Sequence, residues 1–182
     1  LVRVREDAIG RLTEAHDRTQ RYLDVAGVVI VVLDREGRVS LINKKGCEIL
    51  GYNEGEMLGK DWFDNFLPRK MRSEVRSVFA DVMAGSKDAP RGYYESPLLT
   101  KTGDERVILW YNTILLEEGR IVGTLSSGED ITDRKRTEKA LKESEIKYRQ
   151  IHSTAFDAIL ITDRHDRLVE CNPSARKMFG YE

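Results

Sequence analysis

The chain has 182 residues, 40% hydrophobic and 34% charged, with a net charge of −1 at pH 7. That composition fits a folded domain and gives no electrostatic basis for nucleic-acid or anionic-membrane partners. Cys47 and Cys171 stand far apart with no CxxC pair, and no apolar run approaches the roughly 18 residues of a membrane span. The expectation is a reducing, cytoplasmic setting and no membrane contact by this segment.

Residues 1–26 contain good helix formers. Leu1, Ala8, Leu12, Ala15, Thr19, Tyr22 and Ala26 trace a weak coiled-coil seam. A β-branched run, Val28–Leu33, is ended by Asp34-Arg35-Glu36-Gly37 and answered by Arg38–Ile42, which reads as a hairpin. Asn43 can cap a helix over 44–50, with Gly51 as its stop. Residues 53–67 read as short turns carrying Trp62, Phe63 and Phe66, and Pro68 suits the first turn of a helix. On that helix Met71, Val75, Val78, Phe79 and Val82 form one apolar stripe, ended by Gly85. Three strands follow at about 93–100, 106–116 and 120–130, separated by Lys101-Thr102-Gly103-Asp104 and Glu117-Glu118-Gly119. This order predicts an α+β domain, a single antiparallel sheet with its helices gathered on one face.

Composition shifts sharply over 131–151, which is strongly charged and free of Gly and Pro. Thr137, Leu141, Ser144, Tyr148 and Ile151 keep heptad spacing there. Glu138 with Lys142 and Glu143 with Lys147 stand at favourable i,i+4 separations. A linker helix is expected, either solvated or paired in a dimeric coil through Leu141 and Tyr148, with Leu12 and Ala15 as the seam of the N-terminal helix. After it the chain repeats itself: Asp34, Arg35, Arg38, Asn43, Gly51 and Tyr52 recur as Asp163, Arg164, Arg167, Asn172, Gly180 and Tyr181 without a gap. The expected organisation is an N-terminal helix over 1–26, one domain over 27–132, a linker helix over 133–152, and a truncated second copy from 153 to 182. A lone hairpin is marginal in water, so its open edge should be covered by a neighbour or partner.

Four pieces standing in order carry a resemblance: the hairpin with Asn43–Tyr52, the turn-and-helix region Glu54–Trp62, the strand ending in Trp110-Tyr111-Asn112-Thr113, and Gly128-Glu129-Asp130-Ile131-Thr132 before Asp133-Arg134-Lys135. Together they resemble a PAS domain, the sensory module of bacterial and archaeal signalling proteins. The likeness covers about residues 22–132, with the start of another such domain after 153. It implies a five-stranded antiparallel sheet, helices enclosing a cavity on one face, and frequent dimerisation. It also implies that the signal leaves through the Asp130-Ile131-Thr132 exit and the helix beyond, where Thr132 would serve as N-cap.

No nucleophile–base arrangement can be assembled, and no glycine-rich phosphate loop appears. His16, His152 and His165 are the chain's histidines, none within the complete domain's core. That argues against a His-ligated haem and against a His/Cys zinc site, so no metal is expected. Cys47 lacks the surroundings of a flavin photoreceptor cysteine. The segment carries no catalytic motif of its own.

By the resemblance a cavity would be lined by Trp62, Phe66, Phe79, Trp110 and Asn112, although the aromatics could equally just fill a core. Asn112, a polar side chain amid apolar neighbours, would need a partner if it pointed inward. Residues 107–116 are apolar on both alternating faces, which predicts cover on both sides of the sheet. The expected function is a sensory and dimerisation module of a signalling protein, a histidine kinase by analogy, whose output domain follows in the same chain. Its competitors are a ligand-independent interaction module and a sensor holding a non-covalent flavin.

Overall fold

The structure, a computed structural model, describes residue 23 and residues 26–86 and 92–180. The first seam, with Leu12 and Ala15, lies outside these residues, as does most of the N-terminal helix expected over 1–26. The chain divides into two units, residues 1–132 and 133–182.

In the first unit, strand β1 (Val29–Asp34) and strand β2 (Val39–Ile42) form the predicted hairpin. Asp34 shapes its turn: Oδ1 accepts from the amides of Glu36 and Arg38 at 3.0 and 2.8 Å. Gly37 supplies the left-handed φ of 78° that the turn requires. Helix α1 (Lys44–Leu50) follows, with Asn43 as N-cap and Gly51 left-handed at its end. Two short helices, α2 (Glu54–Met57) and α3 (Trp62–Phe66), occupy the region read as turns. A 3₁₀ turn over Arg69–Met71 leads from Pro68 into helix α4 (Arg72–Met83). Strands β3 (Tyr93–Leu99), β4 (Glu105–Glu117) and β5 (Arg120–Asp130) complete a five-stranded antiparallel sheet of order β2-β1-β5-β4-β3. Pro97 lies in β3, an edge strand, where a missing amide is tolerated.

Asn43 is fully buried and uses both ends of its amide. Its Oδ1 accepts from Ile30 N at 2.9 Å and from Gly46 N at 3.0 Å. Its Nδ2 donates to Val28 O at 2.9 Å and Leu23 O at 3.0 Å. One side chain thus joins the entry of the domain, strand β1 and the start of α1. Gly46 lets α1 settle onto the sheet, since a Cβ there would lie 2.7 Å from Ile42 and 3.1 Å from Val29. Val29, Val31, Leu33, Ile42, Leu50, Met57, Phe63, Phe66, Leu98 and Ile108 form the core on this face.

The second unit begins as helix α5 (Thr132–Thr154) leaves β5, and the helix runs two residues beyond the expected end at His152. Glu143 pairs with Lys139 at 3.8 Å, one turn earlier than the expected Lys147. Strands β6 (Leu160–Thr162) and β7 (Leu168–Cys171) and helix α6 (Pro173–Phe179) repeat the hairpin-plus-helix in miniature. Asp163 Oδ1 accepts from His165 N and Arg167 N at 2.7 and 3.1 Å. Asp166, φ 58°, takes the place of Gly37. Asn172 caps α6 and bonds Ile159 N, Ala175 N and Asp157 O as Asn43 does its own neighbours. Within this unit Tyr148 Oη donates to Glu170 Oε2 at 3.0 Å, and His152 stands 3.7 Å from the same carboxylate.

Asn43→Ala removes two acceptor and two donor contacts of a buried amide. Thermal or denaturant unfolding should show a loss of about 3 kcal/mol, whereas Asn53→Ala, at the exposed start of α2, should cost well under half as much.

Candidate functional site

Because β4 and β5 pair in register, Trp110 faces Gly128, Asn112 faces Ser126 and Ile114 faces Thr124. Directly opposed residues share a face, so these side chains meet Val31 and Leu33, which β1 sets opposite Ser126 and Thr124. Tyr94 joins them from β3 opposite Trp110, and Ser96 opposite Ile108. Helix α4 crosses this surface with Val75, Val78, Phe79 and Val82 turned inward, and Met71 of the preceding 3₁₀ turn continues the stripe. The stripe does not close on the sheet. A cavity of about 570 Å³ remains between them, and no residue of α4 is buried.

Of the residues expected at such a site, Trp62, Phe79, Trp110 and Asn112 line the cavity. Phe66 does not: it is 1% exposed and packs edge-on against Tyr52 at 5.4 Å and against Trp62 at 5.1 Å. Trp62 and Trp110 meet nearly perpendicularly, 6.0 Å between centroids. Trp110 can lie flat over β5 only because position 128 has no side chain. A Cβ there would sit 2.7 Å from the indole and 2.5 Å from Ile108. Asn112 finds its partner in a side chain, with Nδ2 donating to Tyr94 Oη at 3.2 Å. Burial pushes the Tyr94 phenol up, and the hydrogen bond from Asn112 opposes it, so the net shift is upward and the group is neutral at pH 7.

Sequence reasoning missed Tyr94, Ser96, Thr124 and Ser126. Strand β3 begins Tyr-Tyr-Glu-Ser, and only cross-strand register decides which tyrosine faces inward. On the opposite face Tyr93 and Tyr111 stack at 5.3 Å, and both remain exposed.

A polar clamp holds α4 over the cavity from one end. The Arg76 guanidinium pairs bidentately with Asp61, the N-cap of α3, at 2.9 and 3.0 Å and with Asp64 at 3.0 Å. It also lies 4.8 Å above the Phe63 ring. Partial burial pushes the Asp61 carboxyl up, but the Arg76 guanidinium and the Asp64 amide outweigh it, leaving the group below the usual carboxylate range.

The exit of the sheet is tied by side chains. Thr132 Oγ1 accepts from Val107 N at 2.9 Å, and its hydroxyl donates to Asp130 Oδ1. The same carboxylate oxygen accepts from Thr132 N at 2.9 Å, and Arg106 approaches Asp130 at 3.7 Å. Ile131, 2% exposed, donates its amide to Val107 O at 2.9 Å. Thr132 is therefore not the N-cap predicted for the outgoing helix. It is the first helical residue, and its hydroxyl bonds sideways to β4 instead of forward to α5. Further along, Leu141 and Ile151 are more than half exposed. Tyr148 is partly engaged within its own unit, its ring stacked 5.5 Å from His152.

Among the described residues no cluster of His, Cys, Asp and Glu could hold a metal ion, and no helix is long and apolar enough to cross a membrane.

A family model described as "PAS fold" matches residues 23–136, and one described as "PAS domain" matches residues 147–182. The chain belongs to the PAS family. The PAS domain of an HTR-like protein from Haloarcula marismortui superposes with a TM-score of 0.55 at 23% identity, over 69% of this chain and 99% of that one. The PAS domain of the RpfR quorum-sensing receptor from Cronobacter turicensis, solved in complex with BDSF, gives 0.50 at 27% identity, over 59% and 96%. Among curated proteins, Sporulation kinase E of Bacillus subtilis is 24% identical over 174 residues. That match takes in 93% of this chain but only 22% of the kinase, so these PAS units correspond to about a fifth of that relative.

Proposed function

We propose that this chain is the sensory part of a signal-transduction protein, a histidine kinase by its curated relative. A small molecule held between α4 and the sheet would bias the start of α5. The observation that carries this reading is the bond from Val107 N to Thr132 Oγ1. Val107 lies on β4 three residues before Trp110 and five before Asn112, both of which line the cavity. A shift of β4 to accommodate a ligand would therefore move the first residue of the outgoing helix directly. The Asp130 carboxylate, bound to both the amide and the hydroxyl of Thr132, stiffens the joint so that motion is transmitted and not absorbed. The ligand-bound PAS domain of the quorum-sensing receptor supports the cavity's role by likeness.

The ligand then acts by population shift, stabilising whichever arrangement of the α5 start gives it the better cavity. The exposed Leu141 and Ile151 on an otherwise charged helix favour the further reading that α5 pairs with its copy in a second chain.

Thr132→Val keeps the shape of the residue and removes the hydroxyl, leaving the Val107 amide unpaired. Hydrogen exchange should show faster exchange at Val107 and in the first turn of α5, with a global loss of about 1–2 kcal/mol. Exchange unchanged at both places would remove the proposed joint. For the pairing of α5, sedimentation velocity should show a dimer at micromolar concentration that Leu141→Glu dissociates, and a wild-type monomer throughout that range would contradict it.

A further inference from the structure

We propose that the β6–β7 hairpin and a second copy of α5 compete for one face of that helix, so that docking of the hairpin through Glu170 shortens the coil and its release lengthens it. The proposal rests on the pairing of α5 put forward above and assigns that pairing a regulator within the same chain.

The helix decides which residues are contested. Leu141, Tyr148 and His152 are spaced seven and four residues apart, so they fall on one face of α5. Leu141 and Tyr148 also belong to the heptad row Thr137, Leu141, Ser144, Tyr148 and Ile151, along which two such helices would meet. Toward the end of α5 that face is already in use. Tyr148 Oη donates to Glu170 Oε2 at 3.0 Å, and its ring stacks 5.5 Å from His152. His152 Nε2 faces Glu170 Oε1 at 3.7 Å. One carboxylate of β7 therefore reaches both side chains. Leu141, two turns earlier, stays more than half exposed. Packed helices lie about 8–10 Å apart, so a partner helix alongside Tyr148 would need the space in which β7 holds Glu170. A partner can pack on Leu141 while the hairpin is docked, but not on Tyr148.

The docked state is weak enough to lose such a contest. Tyr148 and the Glu170 side chain both remain nearly half exposed, where water weakens the bond between them. His152 Nε2 is buried without a hydrogen bond among the described residues, a cost that docking carries. A seam of two heptads with Thr and Ser in it is modest as well. Two arrangements close in free energy are what a switch needs. The hairpin lies within residues 147–182, the second PAS match, so the state of that unit and the length of the coil would be coupled.

The test is the dimer dissociation constant of the whole chain by sedimentation equilibrium. It is run at mildly alkaline pH, where the Tyr148 phenol, pushed up by desolvation and by Glu170, stays a donor. Glu170 is not on α5, so Glu170→Ala releases the docking and leaves the helix's own seam untouched. It should tighten the dimer about tenfold or more, because each dimer formed releases two docked hairpins, each worth one hydrogen bond. Tyr148→Phe keeps the ring and should act through the same bond, so the double variant should be no tighter than the tighter single one. Asp166→Asn, which removes a negative charge from the turn of the same hairpin, should leave the constant unchanged. A wild-type dimer that Glu170→Ala leaves unchanged or loosens overturns the competition and keeps the coil. Tightening by Asp166→Asn equal to that by Glu170→Ala would make the effect one of net charge and also overturns it. Wild type and both variants monomeric across micromolar concentrations overturn the competition and the pairing of α5 together.

Discussion

The cavity exists because the residues that face each other across it are small. Strand β5 runs through the sheet with Thr124, Ser126 and Gly128 on its inner face, and α4 answers with Val75, Val78 and Val82. Neither side reaches the other. Protein interiors close-pack wherever the chain allows, so a gap of this size needs supports that hold the walls apart. Trp62 and Trp110 brace one side, meeting edge to face. Arg76, locked to Asp61 and Asp64, holds α4 from the α3 end. An unfilled apolar space forfeits dispersion contacts on both of its walls, and a bound molecule would restore them. On the proposed reading, sensing would follow from packing: the folded state with a ligand would be better packed than the one without.

The same hairpin-plus-helix is built twice from the same few contacts. Asp34 and Asp163 accept the turn amides, Asn43 and Asn172 clasp strand to helix, and Gly51 and Gly180 end the helix at φ 75° and 74°. These side chains act on backbone groups within about twenty residues, so their roles could be read from the residues themselves. The cap of α1, the hairpin and the order of elements along the chain were legible for that reason. The family was legible too, because the four pieces that signal it are local motifs standing in a fixed order.

What depends on register was not legible. Tyr94 and Ser126 belong to the site because of pairings with Trp110 and Asn112, and no local pattern shows them. The stripe on α4 was read correctly as one apolar face. Periodicity records which face is apolar, but not whether the space beneath is full, so the same pattern fits a packed core and a cavity wall. Phe66, which the resemblance implied as lining, lies in the core instead. Thr132 shows a related limit: a threonine before a helix reads as a cap, yet a β4 amide placed 2.9 Å away takes its hydroxyl.

The most direct test is the thermal midpoint of ligand-stripped Val78→Phe by calorimetry. If the space beneath α4 is open, the added ring fills it and the midpoint rises by about 2–6 °C. A fall in the midpoint, the mark of an overpacked interior, would mean that the helix already closes on the sheet and that no molecule is sensed there.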